Sequence, residues 1–217
     1  MLQEGCVSER LLALTRKLEA EPIFRDYFLV GGTALALQIG HRKSDDIDLF
    51  TQKELRIPEI ANYLKKNYSG KYQLLNSQSM IYQVIIDGIK VDFVHHPFEL
   101  VEAAHHDTQI TYLGKKDIAA MKLRAIETTG DRAKDFVDVF FLLKEMPLKK
   151  MFEYYRKKYS TDNIFNAKRS LGFFGDVPEE SWKEVRIINN KITPTMVKKS
   201  ILNAIIDFNK NHAGKRI

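Results

Sequence analysis

Asp46 and Asp48 stand one residue apart in Ser44-Asp45-Asp46-Ile47-Asp48-Leu49-Phe50. On an extended strand, side chains at i and i+2 leave from the same face, so these two carboxylates project together and Asp45 points away to the surface. A third acid obeys the same alternation. In Ile89-Lys90-Val91-Asp92-Phe93 the apolar residues take one face and Asp92 the other, so strand neighbourship would gather Asp46, Asp48 and Asp92 into one cluster. Crowded carboxylates repel unless cations neutralise them, and an all-oxygen ligand set favours Mg²⁺ or Mn²⁺. Two such ions lower the barrier for in-line attack of a hydroxyl on a nucleotide α-phosphate by stabilising the entering and leaving oxygens.

A phosphate cradle lies just upstream. Tyr27-Phe28-Leu29-Val30 reads as a strand running into Gly31-Gly32, after which Thr33 is predicted to cap a helix over Ala34–Ile39 that ends at Gly40. The free N–H groups and positive dipole of a helix start suit a phosphate, which makes Gly31, Gly32 and Thr33 candidate phosphate contacts. His41-Arg42-Lys43, in the loop leading to the acids, are placed to touch substrate or phosphate. Farther along, Lys122 falls inside the apolar arc of Ile118, Met121, Ala125 and Ile126, and a buried ammonium is costly without an anion. Asp135 lies toward the apolar side of the next helix. Two readings stand: Lys122 and Asp135 form a structural ion pair, or Lys122 reaches a triphosphate with Asp135 orienting it. His95-His96 and His105-His106 point apart on extended chain, and no Ser/His/Asp or Cys/His triad assembles.

The elements that would position these groups follow from periodicity. A helix is predicted over 8–20 with Ser8 as its cap, then strands over 27–30 and 46–50, and a helix from Pro58 to about Tyr68. Strands near 72–75 and 80–86 lead into Asp87-Gly88, a hairpin signal, with the partner strand at 89–94 and a short strand near 109–113. From Lys116 onward the pattern is helical, over 116–128, 132–145, 148–158, 162–172 and 194–210. Strands and helices followed by helices alone predict an α+β class, with a small mixed sheet in domain 1–114 and an all-helical domain in 115–217.

Composition bounds the rest. The 217 residues are 44% hydrophobic and 29% charged, ordinary for a folded globular chain. Cys6 is the only cysteine, which excludes an intrachain disulfide, and it reads as incidental near a mobile terminus. No apolar run reaches the roughly 20 residues of a membrane span, and the start has no signal-peptide pattern, so the expectation is a cytoplasmic protein with no membrane partner. The net charge of +6 is uneven: residues 1–110 carry 12 basic against 15 acidic side chains, and residues 111–217 carry 22 against 13. Lys149-Lys150, Arg156-Lys157-Lys158, Lys168-Arg169, Lys198-Lys199 and Lys215-Arg216 lie near Tyr154, Tyr155, Tyr159, Phe173 and Phe174, a pattern suited either to a nucleic acid or to a solvated helical face.

Phe28-Leu29-Val30-Gly31-Gly32-Thr33-Ala34-Leu35-Ala36-Leu37, followed by the Ser44–Phe50 block, resembles the AbiEii/AbiGii toxin family of the DNA polymerase β-like nucleotidyltransferase superfamily. Asp117-Ile118-Ala119-Ala120-Met121-Lys122-Leu123 and Lys134–Leu143 are similar to that family's later blocks, so the likeness covers roughly residues 20–145 in the expected order. The resemblance implies a nucleoside triphosphate (NTP) donor, a divalent metal and a hydroxyl acceptor, which could be tRNA. Residue by residue, it implies phosphate contacts at Gly32 and Thr33, metal-binding acids at Asp46 and Asp48, and a third acid at Asp92 acting as base. It further implies phosphate holding by Lys122 and an active-site acid at Asp135. Thr33 stands where many superfamily members have serine. The family's biology implies the toxin half of a type IV toxin–antitoxin pair with a cognate antitoxin. Transfer to a small molecule of antibiotic type, and a non-catalytic binding module on the same fold, are the alternatives.

Overall fold

The computed structural model describes residues 2–107 and 109–213, with side chains described to Asn211; Lys215-Arg216 lie outside the described residues. The chain divides into two compact units, Met1–Gly40 with Ser44–Gly114, and His41–Lys43 with Lys115–Ile217. The assignment of 41–43 to the second unit has no signal in local sequence.

The first unit is built on a seven-stranded mixed sheet. Its elements are α1 (Glu9–Glu19), β1 (Phe28–Leu29), α2 (Gly31–Ile39), β2 (Ile47–Thr51), α3 (Ile57–Asn67), β3 (Tyr72–Gln78), β4 (Ile81–Ile86), β5 (Ile89–His95), β6 (His105–Asp107) and β7 (Ile110–Tyr112). The strand order is β3-β4-β5-β2-β1-β7-β6. β2 pairs with β5 and β1 with β7 in parallel; the other neighbours are antiparallel. Ser8 caps α1 as predicted, its hydroxyl accepting from the Leu11 N–H. Asp87 and Gly88 both adopt positive φ, 49° and 81°, the geometry a two-residue type I′ hairpin requires between β4 and β5.

Alternation then divides the sheet into two faces. Ile47 and Leu49 register with Val91 and Phe93, and Tyr82 and Val84 join them from β4. On that face the Phe24 ring stacks on Phe93 at 5.0 Å and Tyr27 meets Phe93 edge-on at 6.0 Å. The opposite face carries the acids. β6 escapes sequence reading because its three residues, His105-His106-Asp107, are all exposed and offer no alternation. Cys6, instead of lying loose near the terminus, is buried at the end of a 3₁₀ turn.

The second unit is helical: α4 (Lys115–Thr128), α5 (Ala133–Glu145), α6 (Leu148–Tyr159), α7 (Phe165–Leu171), α8 (Glu179–Glu184) and α9 (Pro194–Ala213). α8 has a single buried residue, Trp182, too little to give a helical period. No helix among the described residues is long and apolar enough to cross a membrane. Lys158, assigned from sequence to an exposed basic cluster, instead donates to Asp117 Oδ1 at 2.7 Å, with both side chains fully buried. Its neighbour Tyr155 is buried as well, so this segment of α6 is core.

Two stability predictions follow from buried charge. Replacing Lys158 with Met takes a buried ammonium from Asp117 and should cost about 3–5 kcal/mol in urea unfolding, with much of the loss recovered in the Lys158→Met/Asp117→Leu double variant. Glu19 is pushed up to about 8 by burial, partly opposed by the hydrogen bond from the Thr111 N–H to its carboxyl. The unfolded chain ionises this group from about pH 4.5, while the folded chain keeps it protonated. Stability present below that pH is therefore lost as pH rises to about 8, by on the order of 5 kcal/mol. Melting temperature should fall between pH 5 and 8, and Glu19→Gln should flatten that slope.

Candidate active site

The parallel register of β2 and β5 sets Asp48 directly beside Asp92, and paired positions in neighbouring strands point to the same face. Asp46 lies one residue before β2. Across the other side of β5, Gln83 is the partner of Asp92 and donates from Nε2 to Asp92 Oδ2 at 2.9 Å. Asn76 on β3 in turn donates to Gln83 Oε1 at 3.3 Å, so a polar ladder crosses three strands and fixes the amide orientation of Gln83. Lys90, two residues before Asp92 on the same face, donates to the same Oδ2 at 2.7 Å. Asp92 is 9% exposed, and its Oδ1 is buried without a hydrogen-bond partner among the described residues. Asn76, Gln83 and Lys90 were missed in sequence; the polar Gln83 within Ile81–Ile86 was the available signal.

Among the described residues no group of three or more His, Cys, Asp or Glu side chains is drawn together to hold a metal ion. Crowded carboxylates need a counter-charge, and Lys90 supplies one to Asp92. The donor chemistry nonetheless suits a hard divalent cation: the oxygens are carboxylates, and one of them, Asp92 Oδ1, is buried with hydrogen-bonding capacity unused.

α2 begins earlier than the sequence pattern indicates. Gly31 already belongs to the helix with φ of 68°, and a Cβ there would collide with Asp48 Oδ2, so only glycine lets the acid lie against the helix start. The residue before the helix, Val30, gives no side-chain cap. Gly32 is buried in this first turn. Thr33 is not the cap. Its buried hydroxyl bonds the Asp46 carbonyl and Ser44 Oγ, the latter at 2.8 Å. Because the carbonyl can only accept, Thr33 donates to it and Ser44 donates to Thr33. Thr33 therefore ties the backbone of Asp46 to α2.

In the second unit Lys122 is buried, donating to Asp135 Oδ1 at 2.6 Å and lying 2.7 Å from Asp138 Oδ2. Lys122 and Asp135 thus form the ion pair that both readings require, within a larger buried cluster. Asp138, unremarked in sequence, is its hub: Arg42 reaches both carboxylate oxygens, at 2.6 and 3.0 Å, and His41 Nε2 lies 2.7 Å from Oδ1. His41 and Arg42 are thus core residues instead of a basic loop open to substrate. Burial disfavours the Asp138 charge, but Arg42 and Lys122 outweigh it and hold the carboxyl well below the usual carboxylate range. Burial likewise opposes the Lys122 charge, while Asp135 and Asp138 raise its pKa above the ordinary lysine value. Burial pushes His41 down, so its ring is neutral near pH 7 and Nε2–H donates to Asp138.

A family model described as nucleotidyl transferase AbiEii toxin, type IV TA system, matches residues 12–188. An uncharacterized protein of Aquifex aeolicus (strain VF5) is 34% identical over 169 residues, covering 75% of this chain and 81% of that protein. Two solved structures show the same fold. MenT4, a nucleotidyltransferase toxin of Mycobacterium tuberculosis H37Rv, has a TM-score of 0.59 at 12% identity, over 89% of this chain and 80% of its own. JHP933 from Helicobacter pylori has a TM-score of 0.54 at 14% identity, over 96% of this chain and 97% of its own. Because the family match runs through the acid-bearing strands, the glycine-opened helix and the buried ion cluster alike, this chain belongs to the AbiEii family of type IV toxin nucleotidyltransferases.

Proposed function

We propose that the protein transfers a nucleotide from an NTP to a hydroxyl on an RNA, with tRNA as the candidate acceptor, as the toxin of a type IV pair. Support comes above all from one observation: Asp48 and Asp92 share a sheet face at paired positions, with Asp48 against the uncapped start of α2. Asp46, Asp48 and Asp92 would hold Mg²⁺ or Mn²⁺, which would supply charge neutralisation at the phosphate and at the attacking oxygen. Gly31 and Gly32 present backbone N–H groups of a helix start to triphosphate oxygens. Thr33 positions Asp46. Asp92, oriented by Gln83, accepts the proton of the acceptor hydroxyl. Lys90 neutralises Asp92 until a divalent cation takes over that role. The acceptor reading draws on exposed Phe165 and Phe173 together with exposed Lys149, Lys157, Arg169 and Lys199 of the basic half.

Incubation with labelled NTPs, Mg²⁺ and cellular RNA should give labelled RNA, and Asp46→Asn or Asp48→Asn should cut the rate by at least about a thousandfold with an unchanged circular-dichroism spectrum. Label appearing only in small metabolites would replace the RNA acceptor by a small-molecule one. Removing the competing ammonium in Lys90→Met should tighten Mn²⁺ binding, read by electron paramagnetic resonance, by about tenfold. Unchanged or weaker Mn²⁺ binding in that variant would show that Lys90 does not compete for Asp92.

A further inference from the structure

The second unit contains a cavity of about 420 Å³ that none of the groups above uses. It lies among α5, α8, the start of α9 and the segment 185–192, and its size is in the range of small-molecule sites. Val137, Val185, Ile187, Ile192 and Val197 give it an apolar lining. The wall is held from behind by backbone: Lys43 N–H donates to the Arg186 carbonyl at 2.8 Å, and Ile188 N–H to the His41 carbonyl at 3.0 Å. Such a wall keeps its shape without a ligand, because its backbone groups are satisfied elsewhere.

Trp182 also lines the cavity. It is 6% exposed, and its Nε1–H is buried with no acceptor among the described residues. An unmet buried donor costs about 1–3 kcal/mol, which an oxygen of a bound molecule would recover. Lys198 Nζ lies 4.9 Å from the centre of the indole ring, and Arg186, exposed, is the one charged side chain among the described residues that line the cavity. Apolar walls, an unmet N–H donor and neighbouring cations define the complementary ligand. We propose that this cavity binds a small acidic amphiphile, an apolar body ending in a carboxylate that accepts from Trp182 Nε1–H and is drawn by Arg186.

Trp182 is the only tryptophan in the chain, so its fluorescence reports on this cavity alone. Titration of the full chain with octanoate should give a saturable change in tryptophan emission, and octylamine at the same concentrations should give none. Arg186→Met, a change at an exposed residue, should weaken octanoate binding by about tenfold, the loss of one charge-assisted contact. Ile192→Phe and Val185→Phe, which fill the cavity, should abolish the response while circular dichroism shows the helices intact. No saturable response, an equal response to octylamine, or a response undiminished in both Arg186→Met and the filled variants would overturn the proposal. So would saturation by ATP alone that the filled variants remove, since that would make the cavity a nucleotide site.

Discussion

The parallel register between β2 and β5 carries two burdens at once. It aligns Ile47 and Leu49 with Val91 and Phe93 on the face that packs against Phe24 and Tyr27, and the same pairing sets Asp48 beside Asp92 on the other face. Since side chains alternate with a period of two, a slip of one residue would send the acids into the core and the core residues to the acids' face. The hydrophobic effect thereby enforces the alignment of the polar groups: the apolar face that stabilises the sheet also holds the carboxylates in register.

Positive charge is handled differently in each unit. At the acid face Lys90 is half-exposed and its ammonium sits on a carboxylate with buried, unused capacity, an arrangement another cation can displace. In the second unit Lys122, Arg42, Asp135 and Asp138 are buried and mutually saturating, with His41 neutral on the same hub. Charges with so little access to water have weak screening and high desolvation cost, so each requires its partners in place. A buried cluster of this kind specifies how α4, α5 and the 41–43 segment pack.

Much of the architecture is legible in short-range pattern. The Asp87-Gly88 hairpin, the Ser8 cap, the strand alternation and the long helices α4, α5 and α9 are visible because each depends on residues within a few positions of one another. The three candidate acids are legible for the same reason, since Asp46 and Asp48 lie within three residues at the start of β2 and Asp92 in a second alternating run. The start of α2 is misread by three residues because Gly31 enters the helix in a left-handed conformation that propensity does not foresee.

By itself the sequence determined which residues are acids on a polar strand face, where the chain turns, and that a glycine pair precedes a helix. Only the tertiary structure decided which charges meet. Lys158 is buried on Asp117 while adjacent Lys157 is exposed, and Arg42 leaves its own loop for an acid 96 residues away. Periodicity is a property of neighbours in the chain, whereas desolvating an ion pair depends on partners brought together by packing, and no local pattern encodes that distance.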